Sequence, residues 1–263
     1  MFKAMKARWQ QGFRTHPFPG EDPLLPDGYR GRPVIETDLC PPDCDRCLAV
    51  CPTAAIAHRR QGLTLDLGRC IFCAECTREC APGAMRFSND FRLAGRTRSD
   101  LEISGSGRIP LPPMEAPLRR LLGRSLKLRQ VSAGGCNACE ADTNVLGTLT
   151  FDLGRFGIQF VASPRHADGL LITGPVTANM KLALEKTYAA VPSPKIVIAV
   201  GACAISGGLF SSHPEAGRGA TDVLQVDLFI PGCPPNPWTI LDGLLRLLNI
   251  GLIPTKVQNS HRI

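Results

Sequence analysis

No stretch of this 263-residue sequence holds about 18 consecutive apolar residues, the length a membrane-spanning helix needs, so nothing in it is expected to cross a bilayer unaided. The opening residues, Met1-Phe-Lys-Ala-Met-Lys-Ala-Arg-Trp9, lack the apolar core of a secretory signal, and a cytoplasmic-side protein is expected. No His-Glu-x-x-His or Ser-His-Asp arrangement can be read, and the five histidines (16, 58, 166, 213, 261) are scattered. There is no Walker loop, and Gly105-Ser-Gly107-Arg does not continue into a dinucleotide fingerprint. No helix-turn-helix pattern or aromatic-interleaved basic strip is present, so nucleic acid is not an expected partner. The 26 glycines and 23 prolines stay below the level of low complexity, and 44% apolar residues suffice for packed cores.

What the chain has is cysteine. Its twelve lie at 40, 44, 47 and 51, then 70, 73, 76 and 80, then 136, 139, 203 and 233. In a reducing compartment these are not disulfides, and they are too clustered for inert packing. Twelve divides into three sets of four, each the thiolate complement of one zinc ion or one iron–sulfur cubane.

The first eight form an internal repeat. Cys44-Asp-Arg-Cys47-Leu-Ala-Val-Cys51-Pro recurs 29 positions later as Cys73-Ala-Glu-Cys76-Thr-Arg-Glu-Cys80-Ala-Pro, with Cys40 and Cys70 ahead of the two halves. In a Cys-x2-Cys-x2-Cys run, two intervening residues let successive thiolates converge on one cubane; the fourth cysteine, three residues on, serves the other cluster in two-cluster ferredoxins. Cys40, Cys44 and Cys47 are therefore paired with Cys80 (cluster 1), and Cys70, Cys73 and Cys76 with Cys51 (cluster 2). This region resembles a bacterial-type ferredoxin carrying two [4Fe–4S] clusters. It departs from that pattern in the extra residue of Cys40-x3-Cys44 and in Cys80-Ala-Pro where Cys-Pro is usual. Short strands are expected at Val34–Glu36, Leu63–Asp66 and Met85–Phe87. Paired Cys-x2-Cys spacings also occur at zinc sites, so a zinc-stabilised binding module is the alternative.

Residues 91–130 carry nine Lys/Arg against three Asp/Glu, six of the chain's net +7. Ser104–Pro113 reads as an extended connector. Glu115–Gly123 reads as a helix with Leu118, Leu121 and Leu122 on one side and Arg119, Arg120 and Arg124 on the other. This stretch is either a solvated basic face or a docking surface for an acidic partner or anionic headgroups. Three cubanes at about −2 each would offset most of the positive charge.

From about residue 125 strands and helices alternate: strands at Leu126–Ser132, Ile158–Ala162, Gly169–Gly174, Lys195–Gly201 and Val223–Ile230, and helices at Ala138–Phe151, Asn179–Ala190 and Trp238–Leu252. The pattern implies an α/β fold with a doubly wound, flavodoxin-like parallel sheet, beside a small α+β ferredoxin domain. Ligands of such sheets collect beyond the strands' carboxyl ends. Cys136, Cys139, Cys203 and Cys233 all follow strands, and are assigned to cluster 3.

Gly134-Gly-Cys-Asn-Ala-Cys-Glu140, Arg155–Asp168 with the following Leu-Leu-Ile-Thr-Gly-Pro-Val-Thr, Gly201-Ala-Cys-Ala-Ile-Ser-Gly-Gly208 and Pro231-Gly-Cys-Pro-Pro235 carry a second resemblance. They are similar to the small subunits of energy-converting (group 4) [NiFe] hydrogenases, formate hydrogenlyase among them, and to the complex I subunit that carries the terminal cluster. Complex I uses adjacent cysteines where this chain has Cys136-Asn-Ala-Cys139, which points to the hydrogenase side. The resemblance implies a proximal cluster beside a [NiFe] large subunit, in a membrane-bound complex fed by a donor subunit or soluble carrier. The chain would then relay electrons through three [4Fe–4S] clusters, with no substrate-converting centre of its own. It would be cytoplasmic and peripheral on the inner membrane through partner subunits. A quinone-reducing, complex-I-like or nickel-free complex is the alternative within that resemblance.

Glu140 is read either as a proton relay or as a carboxylate facing a helix N-terminus. Arg165 and His166 are read as partner-facing or structural. Phe2, Met5 and Trp9 lie on one face of a possible helix, with Lys3, Lys6 and Arg8 elsewhere, to touch headgroups or bind a partner. The expected division is an arm (1–33), a ferredoxin domain (34–95), a basic linker and helix (96–124), a hydrogenase small-subunit-like domain (125–253) and a tail (254–263).

Overall fold

The two half-repeats of cysteines fold as matching units in the computed structural model, which describes residues 2–41, 44–59, 62–107, 109–123 and 125–251. The expected tail, Arg124 and Leu252 lie outside these; the C-terminal helix, expected to run to Leu252, ends at Leu248, where Asn249 takes a left-handed backbone. After the N-terminal helix α1 (Phe2–Gln11), the first unit runs β1 (Pro33–Ile35), α2 (Arg46–Ala49) and β2 (Ile56–Arg59). The second runs β3 (Gly62–Asp66), α3 (Glu75–Arg78) and β4 (Met85–Phe87). The units interlock. β1 pairs antiparallel with β4, Val34 opposite Arg86, while β2 and β3 form a hairpin extended by β5 (Glu102–Ile103). The three expected strands are present; β2 and β5 are additional.

The expected connector and helix follow as an irregular strap and α4 (Ala116–Leu122). The strap is packed down: Ile109, Leu111 and Met114 are buried, Gly95 exchanges two backbone hydrogen bonds with Phe229, and Met114 N–H donates to Leu247. Three of its arginines are used internally. Arg98 forms a two-pronged pair with Asp66, Arg92 sits among Asp22, Asp90 and Asp242, and Arg96 donates to the Asp227 carbonyl. Much of the basic excess therefore holds the fold together and is not a free face. Leu121, expected with the apolar side of α4, points to solvent at 60% exposure. In so short a helix the i, i+4 pair Leu118 and Leu122 alone meets the core.

The remaining chain contains β6 (Leu126–Ser132), α5 (Ala138–Val145), β7 (Ile158–Phe160), β8 (Gly169–Thr173), α6 (Ala178–Ala190), β9 (Ile196–Val200), α7 (Ala202–Ser206), β10 (Leu228–Ile230) and α8 (Pro237–Leu248). All five strands are parallel, in the order β10-β9-β8-β6-β7. That is the flavodoxin-like winding, with its switch point between β6 and β8. β8 and β9 are buried along their whole length, as their unbroken apolar runs require in a sheet covered on both faces. α5 stops six residues short of expectation, before Gly147. β10 starts five residues late, because at Asp227 the carboxylate takes the Val197 N–H and the ladder begins only at Leu228.

Each sheet face has its own core. Leu170, Ile172, Val197 and Ala199 pack with Leu184 of α6 and run on into Leu65, Leu67 and Ile103 of the cysteine repeat. On the other face Leu171, Ile198 and Val200 meet α8, together with Phe18, Phe91 and Met114. Phe18 is thus no part of a loose arm: its ring lies 5.4 Å from Trp238 and 5.9 Å from Phe91, and Arg155 donates to its carbonyl. Phe18→Ala should cost about 3–5 kcal/mol, read as a lowered denaturant midpoint at unchanged slope.

Candidate metal centres

The sheet's carboxyl edge gathers the last four cysteines. β6 ends at Ser132, and Ala133-Gly134-Gly135 carries the chain to Cys136. Asn137 adopts a left-handed backbone (φ +67°) that starts α5, whose first turn holds Cys139. Asparagine tolerates that conformation better than most side chains. The same device recurs in the second half-repeat, where Ala74 (φ +68°) separates Cys73 from α3 and its Cys76. Cys203 sits in α7 directly after β9, and Cys233 follows β10. Gly201 N–H donates to Ile230 and Ala202 N–H to Gly232, tying these two loops together. Gly201 must be glycine: at φ +91° a Cβ would stand 2.5 Å from Cys139 Sγ. The backbone is cut away beside Cys139 Sγ.

The thiols act on one another mainly within three groups, Cys47 alone reaching across to Cys76. Burial pushes Cys203 up to about 11, with the charges of Cys233, Cys136 and Glu140 adding to it. Cys139 is raised further, by burial first, then by Cys203, Glu140, Cys233 and Cys136. In the first repeat half burial lifts Cys47 to about 11, followed by Cys40, Cys80 and Cys44. Cys70 rises to about 12 through burial against the Phe72 N–H that lowers it, with Cys76, Cys51 and Cys73 adding. Cys76 rises to about 12 through burial, Cys73, Cys51 and Cys47. Cys80 is therefore a neighbour of the first half's thiols, and Cys51 of the second's. Cys51, Cys70, Cys73 and Cys76 line one cavity beneath Phe87 and Leu65. Backbone N–H groups of Ala55 and Phe72 point at Cys51 Sγ (3.2 Å) and Cys70 Sγ (3.4 Å). Among the described residues no three His, Cys, Asp or Glu side chains are set to hold one ion; the thiols of Cys51, Cys70, Cys73 and Cys76 share the lining of a cavity.

Buried thiols raised this far are protonated at neutral pH unless a cation offsets the desolvation and mutual repulsion. The donor set thus fits a core of positive irons spread between four sulfurs, which would displace the protons.

Glu140 accepts a hydrogen bond from Thr173 Oγ1 at 2.6 Å, in the first turn of α5. The buried Thr173, which orients it, was not singled out from sequence; its signal is a lone hydroxyl closing the apolar strand β8. Arg165 and His166 are both exposed. Cys136 and Cys233 are exposed too, whereas Cys47, Cys70 and Cys76 are buried.

The turn before Cys70 touches the helix that carries Cys203. Ser206, at the end of the helix that carries Cys203, donates from Oγ to the Gly68 carbonyl at 2.8 Å. A Cβ on Gly68, two residues before Cys70, would lie 2.7 Å from Ile205 Cγ2.

Residues 136–247 match the family model described as the NADH ubiquinone oxidoreductase 20 Kd subunit. A probable membrane-bound hydrogenase subunit of Pyrococcus furiosus is 42% identical over 133 residues, 51% of this chain and 80% of that protein. Formate hydrogenlyase subunit 7 of Escherichia coli is 42% identical over 145 residues, 55% of this chain and 56% of that one. An NADH-quinone oxidoreductase subunit of Citrifermentans bemidjiense is 45% identical over 113 residues, 43% of this chain and 66% of that one. The family match begins at Cys136 and leaves the first eight cysteines outside it.

Proposed function

The chain belongs to the family of the NADH ubiquinone oxidoreductase 20 Kd subunit, a family of oxidoreductase-complex subunits, and we propose that it is the electron-transfer subunit of a hydrogenase of the formate hydrogenlyase type. Its three sets of four cysteines hold three [4Fe–4S] clusters, which when bound supply one-electron transfer. The reading rests on one observation above all: four thiols that follow three strands of a parallel sheet bear on one another, with Cys139 Sγ beside Gly201, which has no side chain. The grouping of Cys80 with the first half and Cys51 with the second supports a two-cluster ferredoxin fused ahead of this domain.

Contacts within the chain support one order of the sites. The Cys70 loop is pressed against α7 through Gly68, Ile205 and Ser206, so the Cys51/70/73/76 set neighbours the Cys136/139/203/233 set. The Cys40/44/47/80 set is left as the entry for a donor subunit or soluble carrier. Exposed Cys136 and Cys233, with exposed Leu209 and Phe210 nearby in sequence to Cys203, support docking of a [NiFe] large subunit on this face. Among the described residues no helix is long and apolar enough to cross a membrane, so attachment to the inner membrane falls to partner subunits and the surface of this chain. Glu140, held by Thr173, adds negative charge beside Cys139 and Cys203. Glu140→Gln should raise the midpoint potential measured for that site in a redox titration, and an unchanged potential would remove Glu140 from it.

The deciding experiment is anaerobic purification with partners, followed by iron, sulfide, nickel and hydrogen assays. About twelve irons and twelve sulfides per chain, with a nickel-bearing large subunit and hydrogen turnover, are expected. The similarity to the NADH-quinone oxidoreductase of Citrifermentans bemidjiense favours a second reading, in which the partner is nickel-free and a quinone is reduced. Stoichiometric zinc in place of iron would overturn both.

A further inference from the structure

We propose that α1 is an anchor for an anionic bilayer surface, attaching this chain directly and not only through partner subunits. At 100° per residue Phe2, Met5 and Trp9 fall within one narrow arc of the helix, and they are 84%, 60% and 92% exposed. Phe13, 83% exposed, continues the stripe just beyond the helix, where the Arg8 guanidinium lies over its ring at 4.5 Å. No residue of α1 is buried against the rest of the chain. A ten-residue helix is marginal alone in water, so a surface must cover this one.

Charge identifies that surface. Lys3, Lys6, Arg8 and Arg14 are accompanied by no Asp or Glu before Glu21. On the helical wheel Lys6 flanks the apolar arc on one side and Arg8 on the other, where long cationic side chains reach up to headgroups while their stems lie along the acyl boundary. Trp9 at the centre is the residue type enriched at that depth. An acidic protein groove could meet the charges, but a cation on both borders of an aromatic stripe suits a planar, uniformly negative surface.

The tether is short and fixed. Gly12 turns the chain at φ +63°, and four residues beyond it the backbone is pinned: His16 N–H donates to Thr150, and its ring packs 4.9 Å from Trp238. Trp238 opens α8 just after Cys233, so the anchor leaves the body on the side of the exposed third cysteine set. The inference needs no cluster to be bound.

Flotation of the purified full-length chain, carrying its iron, tests it. Phosphatidylglycerol/phosphatidylethanolamine vesicles should carry the chain up and phosphatidylcholine vesicles should not. The triple variant K3E/K6E/R8E and the single variant Trp9→Asp should each lower the floated fraction at least tenfold at unchanged iron content. Brominated lipids should quench emission from Trp9, the buried Trp238 being out of reach. Failure to float, equal flotation on the neutral vesicles, or flotation of the charge-reversed variant would overturn the anchor. So would release of the chain from its complex on deletion of residues 2–14 with lipid binding intact, which would make α1 a protein-binding arm.

Discussion

If the chain holds the three clusters proposed, Cys51→Ala should remove about four of about twelve irons, and the deficit should fall on the site of Cys70, Cys73 and Cys76, not on that of Cys51's own half-repeat. Cys51 lies four residues past Cys47 in sequence, so a zinc-like or locally closed site would lose the Cys40/44/47 set instead. In the fold Cys51 faces the cavity lined by Cys70, Cys73 and Cys76 and adds its charge to the burden on Cys70 and Cys76. Cys47 answers to Cys40, Cys80 and Cys44. The reciprocal variant, Cys80→Ala, should deplete the first set and spare the second. Low-temperature EPR of the reduced proteins separates the two: the pair's magnetic interaction should vanish in both variants, while the surviving signal differs between them. Electron delivery to the partner should fall by two orders of magnitude or more in Cys51→Ala, because the depleted site is the one pressed against α7. Loss of the same cluster in both variants would refute the crossing.

How much of this was legible in the sequence varies with the range of the forces involved. β6 is legible from its alternation, which its burial follows as far as Leu128 before Val131 is buried out of phase; β8 and β9 are legible as continuous apolar runs, and both are wholly enclosed. The last four cysteines were found because each follows such a strand, and a parallel sheet puts all its strand ends on one edge. β2 was missed because Ile-Ala-His-Arg is short and mixed; it becomes a strand by pairing with β3, as Ile56 opposite Leu65. The strap's prolines hid its apolar residues, although Ile109 and Leu111 alternate as an extended segment buried on one side would. The internal use of Arg92, Arg96 and Arg98 had no local signal. Their partners Asp22, Asp66, Asp227 and Asp242 stand far away in sequence, and only the fold brings them together. The contact of Gly68 with Ser206, which orders the sites, is of the same kind.

Gly201→Ala and Cys203→Ala should give the same iron deficit for different reasons. Removing Cys203 deletes one of the four donors, and the Cys136/139/203/233 set should lose its roughly four irons while the first eight cysteines keep theirs. Hydrogen turnover in the complex should drop at least a hundredfold, since no described cysteine outside these four follows a strand of the parallel sheet and could replace the lost donor. Gly201→Ala keeps every donor. Its added Cβ would meet Cys139 Sγ at 2.5 Å, inside the distance real contacts allow, and its φ of +91° lies where an L side chain is strained. Either the backbone retreats, parting the hydrogen bonds from Gly201 to Ile230 and from Ala202 to Gly232, or Cys139 is displaced. Both outcomes separate the thiols. Denaturant unfolding distinguishes these effects from collapse of the domain: Cys203→Ala, which introduces no strain, should retain the cooperative transition of the metal-depleted wild-type chain. Gly201→Ala with a full complement of iron and undiminished turnover would mean that the four sulfurs do not close on a common core beside Gly201, and the assignment of the third site would fall with it.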